Sequence, residues 1–413
     1  MNKQFTMAAI VAVLMSFVCP MTSWAQKVTI DGVKYDFYFE DGNNYANVVG
    51  CKPEKQGDLV IPSSVSFDGK EYSVTGIGDR AFSDCIGLTS AVISEGVTYI
   101  GCNAFSDCIG LTSIDIPKSV IEIDEAAFNG CTGLTSVVIP EGVTSVGLAA
   151  FLGCTGLTSV VIPASVTNID MYSFAGCTSL TKIEVSSDNK TYSSLGGVLY
   201  TKDKSELLAF PSVGKSYVIP AGVRRIGDGA FRGCADLTSL VVPAGVTSIG
   251  GFAFDDSGLT SIDISADVTN IGYCAFAGCD LLSAIYCKSA TPPNASWTAF
   301  GFFEGTLNAV AYVPVGSKAA YEAAEGWNYL TIEEFDFTDV TSASVALPFT
   351  AYATSDGVVL SAIEGETEVA VYSLQGVELY RGTVSGGETV VALPSGSYVV
   401  RAGNGQGTLV IVP

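Results

Sequence analysis

Leu111-Thr112-Ser113-Ile114-Asp115-Ile116-Pro117 carries apolar residues at i, i+3 and i+5. Ile114 and Ile116 alternate with Asp115, the period-2 pattern of a strand with one buried face. Pro117 lacks an N–H and ends the ladder. A second short run, Val120-Ile121-Glu122-Ile123, follows, and Glu125-Ala126-Ala127-Phe128 closes the unit as a helical turn or loop. The unit recurs. Phe82, Phe105, Phe128, Phe151 and Phe174 stand 23 residues apart, and the series resumes at Phe231, Phe254, Phe276 and Phe300. A Cys-x-x-Leu mark keeps step at Cys85, Cys108, Cys131, Cys154, Cys177, Cys234 and Cys279. One such coil cannot bury its own apolar side, whereas stacked copies share a continuous core. The period therefore predicts a mainly β, parallel, right-handed solenoid.

The repeating string AFxGCxxLTSVVIPxGVTxIG resembles the BspA-like class of leucine-rich repeats, found in surface proteins of Bacteroides-type bacteria and some spirochaetes. The resemblance spans Asp58 to Ile332. The segment YDFYFEDGNNYANVVG with GDLVIPSSVSFDGKEYSVTGIG looks like that family's N-terminal hairpin cap. CKSATPPNASWTAF with AYVPVGSKAAYEAAEGW looks like its closing unit. Near the end, VYSLQGVELY and LPSGSYVVRAG resemble the sorting domain of type IX secretion cargo; a plain β-sandwich spacer or anchor is the alternative. The resemblance implies an adhesive, non-enzymatic cell-surface or secreted protein. Its implied partners are protein ligands, host matrix proteins or neighbouring cells.

These features divide the chain. Residues 1–25 read as a secretory signal, with Lys3, an apolar run from Met7 to Val18, and small residues Ser23 and Ala25 at a cleavage site. Residues 26–76 read as an N-terminal β cap. Residues 77–335 form the solenoid, with a closing cap at 288–335. Residues 336–353 are a linker, and 354–413 a small antiparallel β-sandwich. Between Phe174 and Phe231 the spacing is 57 residues, one repeat plus 34. Strands at Gly197–Tyr200 and Leu207–Phe210, around a polar turn at Lys202–Ser205, predict that 186–217 is a hairpin projecting from the coil. Its deletion is then expected to spare the solenoid.

Composition narrows function further. There is no histidine among 413 residues, which removes Ser–His and Cys–His nucleophile pairs and imidazole metal sites. Acidic residues number 42 against 20 basic, and so negative a surface repels nucleic acid and anionic lipid. No stretch after the signal is long and apolar enough for a transmembrane helix. No cofactor or metal is expected, and the sequence leaves oligomeric state open. The seven in-phase cysteines read as a buried thiol ladder, since adjacent parallel rungs do not converge as a disulfide requires. Paired carboxylates Asp115, Glu184 and Asp263 read as solvated surface.

The better functional candidate is the exposed strand face. Its columns run Val92, Asp115, Val138, Val161, Glu184, Val241, Asp263 and Tyr286, beside a column that is mostly Ser. Val138, Val161, Glu184 and Tyr286 on this face, with Tyr192 and Tyr200 in the insertion, are the candidate ligand-binding residues. A structural spacer or a glycan-binding accessory protein is the alternative to a protein-binding adhesin. Clustered exposed aromatics would favour glycan, and a Ser/Thr/Val face would favour protein.

Overall fold

The computed structural model describes residues 26–51, 56–211, 216–301, 309–337 and, in the C-terminal module, 349–354, 357–362, 367–373, 378–384, 389–391, 393, 396–402 and 407–412. The expected signal and most of the expected linker lie outside these residues. The chain is a mainly β solenoid of about 11 turns with repeats ~23 residues apart, followed by a small antiparallel sheet structure. It divides into two compact units, 1–154 with 165–173, and 155–164 with 174–413.

The first unit starts with a meander of β1 (Gln26–Ile30), β2 (Val33–Glu40) and β3 (Asn43–Cys51), all antiparallel. Asp31-Gly32 and Asp41-Gly42 make the two turns with φ of 49° and 83°, then 50° and 83°, the positive pair that a type I′ hairpin needs. Tyr35 and Phe37 face inward, and Phe37 stacks on Phe67 at 5.0 Å. β3 then pairs parallel with Lys70–Ile77, so the meander converts an open sheet edge into the first rung of the solenoid. The sheet continues through Tyr99–Ile100, Glu122–Ile123, Ser145–Val146 and Asn168–Ile169. On another side of the coils, Gly57–Ile61, Leu88–Ile93 and Ser113–Asp115 pair in parallel.

The third side of each coil is made of turns, not helix. Phe82, Phe105, Phe128 and Phe151 donate their N–H to the carbonyls of Ala104, Ala127, Ala150 and Ser173 in the following coil, at 2.7–2.9 Å. A backbone whose alternate amides are committed to the next coil cannot also run a ladder of i to i−4 bonds, so Glu125–Phe128 closes only isolated i to i−3 turns, such as Ala127 N–H to the Asp124 carbonyl at 3.3 Å. The residue before the ladder position, Cys in seven coils and Ser257 in an eighth, takes φ between 55° and 73° and is always Gly or Asp: Gly130, Gly153, Gly176, Gly233 and Gly278, or Asp84, Asp107 and Asp256. Inside, the phenylalanines stack: Phe82–Phe105 at 5.0 Å, Phe105–Phe128 at 5.4 Å and Phe128–Phe151 at 5.2 Å.

In the second unit one sheet runs Ser216–Val218, Ser239–Val242, Ser261–Ile264, Ala284–Cys287, Val310–Pro314 and Thr331–Phe335, all parallel. The other begins inside the stretch expected to project. Tyr192–Leu195, Val198–Thr201 and Glu206–Ala209 form an antiparallel meander, and Glu206–Ala209 then pairs parallel with Arg225–Ile226. The expected hairpin around Lys202–Ser205 is present, but it is the wall of a coil. Equivalent strand starts at Lys182 and Ser216 lie 34 residues apart, so 186–217 belongs to one enlarged coil, about 11 residues longer than the others. Phe210 occupies the phenylalanine position, with its ring 4.9 Å from Phe231. The stack then continues through Phe254, Phe276 and Phe300 and ends on Trp327 at 4.8 Å.

Tyr321, from the short helix Lys318–Ala323, and Trp327, from the 3-10 turn Trp327–Tyr329, are fully buried and close the last coils. Trp327 Nε1 donates to the Pro293 carbonyl at 2.9 Å, and Tyr321 hydroxyl to the Ser289 carbonyl at 2.7 Å. Beyond the solenoid, Phe349–Thr354, Gly357–Ala362 and Thr389–Val391 form one antiparallel sheet; Glu378–Val384, Thr367–Ser373, Gly396–Ala402 and Gly407–Val412 form another. Val358, Leu360, Val369, Val371, Val384 and Val400 share one apolar cluster between them.

Candidate functional site

The outward column of the strand sheet is the exposed surface the repeat builds. Pairing sets Val60 beside Val92 and Val92 beside Asp115 in the first unit, and Val138 is 70% exposed on its own strand. In the second unit Val161 pairs with Glu184, and Val218, 85% exposed, pairs with Val241. β-branched side chains suit a pleated surface, so exposure alone does not mark a site. Within each unit their regular spacing sets exposed valines along one column, interrupted by carboxylates at Asp115 in the first unit and Glu184 in the second. Glu184 is exposed and pairs with Lys182 at 2.8 Å, an ion pair of the kind that adds little to stability.

Threonines edge this surface. Thr112 donates its hydroxyl to the Thr89 carbonyl at 3.0 Å, Thr181 to Thr158 at 2.9 Å and Thr260 to Thr238 at 3.0 Å. These hydroxyls are occupied by the neighbouring coil, a role that the repeated Leu-Thr pair marks in the sequence.

Tyr192 and Tyr200 leave the list of surface residues. Tyr192 is buried, Tyr200 is 0% exposed, and the Tyr200 hydroxyl bonds that of Tyr217. The enlarged coil needs these rings as its core, because its extra strands bring no phenylalanine of their own before Phe210.

Asp263 also departs from expectation. It sits on the outward column yet is 2% exposed, with Oδ2 held by Lys288 Nζ at 2.8 Å. Burial pushes its carboxyl up, opposed by Lys288. Tyr286, paired with it on the next strand, is half-buried; its ring stacks on Tyr312 at 4.9 Å and meets Phe335 edge-on at 5.9 Å. Tyr312 and Phe335 were missed in the sequence. Val310-Ala311-Tyr312-Val313-Pro314 does repeat the strand-Pro signature of the coils, so Tyr312 was findable as the next column position.

The seven ladder cysteines are all buried and none is in a disulfide. Their sulfurs have acceptors: Cys108, Cys131 and Cys154 donate to the carbonyls of Phe82, Phe105 and Phe128 at 3.0, 3.0 and 3.1 Å, and Cys279 to Phe254 at 3.0 Å. The hydrogen-bonded Cys131 sulfur, together with burial, pushes the Cys108 thiol far up, and burial takes that of Cys279 to about 11, the reverse of what a nucleophile needs. Among the described residues no three His, Cys, Asp or Glu side chains are grouped to hold a metal, and no helix is long and apolar enough to cross a membrane.

One buried carboxyl should be measurable. Asp255, 6% exposed, is pushed up to about 6 by burial, against the Arg232 guanidinium 2.9 Å away. An unfolded aspartyl titrates near 3.9, so between pH 4 and 6 the native state binds more protons and stability falls as pH rises. From that shift, urea midpoints should show a loss on the order of 2–3 kcal/mol between pH 4 and pH 7. Asp255→Asn should remove that share of the slope, whereas an unchanged slope would place the ionised form comfortably in the fold.

Comparison with known proteins agrees with this architecture. Residues 71–195 and 212–306, more than half of the chain, match the BspA type leucine rich repeat region in 6 copies. Among solved structures, the pneumococcal vaccine antigen PcpA is similar at 18% identity and a TM-score of 0.53, over 76% of this chain and 100% of that one. A leucine rich cell surface protein from Faecalibacterium prausnitzii is 27% identical with a TM-score of 0.47, over 78% and 96% of the two chains. A leucine-rich repeat protein from Bacteroides ovatus is 25% identical with a TM-score of 0.48, over 75% and 79%. No curated protein matches the chain. By its repeats the chain belongs to the BspA type leucine-rich-repeat family.

Proposed function

We propose that the chain is a secreted or surface-displayed binding protein, not an enzyme, and that it holds a protein ligand on the outward strand face. The observation that carries this reading is a stripe of exposed valines in each unit taken by itself: Val60, Val92 and Val138 in the first, and Val161, Val218 and Val241 in the second. Extended sheet faces of this kind are the surfaces solenoids use for partners. Host-matrix or neighbouring-cell proteins are the ligand class, and the type IX-like C-terminal module is the means of display. The F. prausnitzii relative's description as a cell surface protein supports the location.

A glycan-binding reading rests on one observation, the Tyr286–Tyr312 stack with Phe335 beside it. Both are tested by presenting the full chain to a matrix-protein panel and a glycan array. Protein capture weakened at least about tenfold by Val138→Glu or Val161→Glu supports the stripe, a change of roughly 1.4 kcal/mol at an exposed site that leaves the fold intact. Glycan capture lost on Tyr312→Ala supports the second reading. Binding to neither class leaves a spacer.

A further inference from the structure

Cys51, half-buried at the end of β3, places its Sγ 2.8 Å from the Sγ of Cys85, the first member of the thiol ladder. The later rungs show why this contact is unusual. Cys108, Cys131 and Cys154 each give their thiol proton to the carbonyl of the phenylalanine 26 residues earlier. For Cys85 that position is Leu59, which lies within the strand Gly57–Ile61 and not in a phenylalanine turn. The first rung has no preceding Phe carbonyl, and its sulfur meets a second sulfur.

A thiol–thiol hydrogen bond is weak compensation for a buried S–H. The separation is less than about 1 Å beyond the ~2.05 Å of a disulfide bond, so a small side-chain adjustment joins the two. The backbones are already held together here, since Gly78 N–H donates to the Val48 carbonyl at 2.7 Å. Cys51 stands outside the in-phase series, so the objection from parallel neighbouring rungs does not reach it.

We propose that Cys51 and Cys85 form a disulfide in an oxidising setting, clamping the N-terminal meander to the first coil. The oxidant is a small-molecule or protein disulfide. The thiolate of the more exposed Cys51 attacks one oxidant sulfur, breaking that S–S bond and releasing one thiol. The Cys85 thiolate then attacks the Cys51 sulfur of the mixed disulfide and releases the second thiol. Two electrons pass to the oxidant, and the two cysteine protons end on the two released thiols. Burial and the neighbouring sulfur push the Cys85 thiol well above its ordinary value, so the second step is the slower one. The bond closes the loop from 51 to 85, restricting the unfolded chain more than the folded one.

The test uses the purified full chain, treated with oxidised glutathione or with reductant, then alkylated without unfolding and mapped by mass spectrometry. A cross-linked pair containing Cys51 and Cys85, absent after reduction and absent in Cys51→Ser, is expected. The oxidised protein should also melt roughly 5–10 °C above the reduced one, with Cys51→Ser indifferent to oxidant. Cys51→Ser removes a half-exposed atom and leaves Cys85 in place, so it tests the bond and not the core. Cys51 and Cys85 both alkylated after oxidation, or Cys51 joined to another cysteine, would overturn the proposal.

Discussion

Deletion of residues 187–216 is expected to abolish the cooperative transition of the coils that follow, rather than leave it intact. The deleted span contains Tyr192–Leu195, Val198–Thr201 and Glu206–Ala209, the strands that start one sheet of the second unit. Arg225–Ile226 would lose its parallel partner, and Phe231 the ring of Phe210 at 4.9 Å. Tyr200, Leu207 and Phe210, all buried, would vanish together, and each such loss alone costs about 2–5 kcal/mol. A solenoid coil depends on its neighbours, so the damage spreads along the array. Deleting 183–216 removes one whole coil and joins Lys182 to Tyr217 in the register the other strands keep. That variant is expected to retain a transition. Thermal unfolding followed by circular dichroism separates the two, and equal, near-native melting of the 187–216 deletion would return the segment to the status of a projecting loop.

Phe151→Ala is the second large effect. The ring is fully buried and lies 5.2 Å from Phe128 in a near-parallel stack. Its neighbours are fixed by inter-coil backbone bonds, including Phe151 N–H to the Ser173 carbonyl at 2.9 Å, so the site cannot collapse to fill the space. A loss of about 3–5 kcal/mol follows. Hydrogen exchange should quicken most in the coils around residue 151 and least in the N-terminal meander, because coupling runs between neighbours. An unchanged melting temperature would remove Phe151 from the core.

The array was legible in the sequence because one physical requirement repeats. Most coils bury the same Phe, Cys and Leu, so periodicity exposes them without any knowledge of neighbours. The Gly-or-Asp position before the ladder site was equally open to reading, since residues tolerant of positive φ are favoured there. The enlarged coil hid for the opposite reason. Its core is made by Tyr192, Tyr200 and Phe210, which follow no period, and aromatic residues in a polar stretch look the same whether they bind a ligand or fill a cavity. Asp263 hid because alternation predicts which way a side chain points, not what covers it. Lys288, 25 residues away, holds its carboxylate, and nothing local announces that pair. Of the candidate face, Val138, Val161 and Glu184 stand open as their column requires, while Tyr286 is partly covered by Tyr312 and Phe335.

Native-state hydrogen exchange on the full chain tests most directly whether 186–217 is wall or loop. Amides of Val198–Thr201 and Glu206–Ala209 should be protected to the same degree as those of Ser239–Val242, all three being paired strands over one apolar cluster. Exchange of 198–209 at the rate of an open loop, with Ser239–Val242 still protected, would contradict the enlarged coil and restore Tyr192 and Tyr200 to the surface.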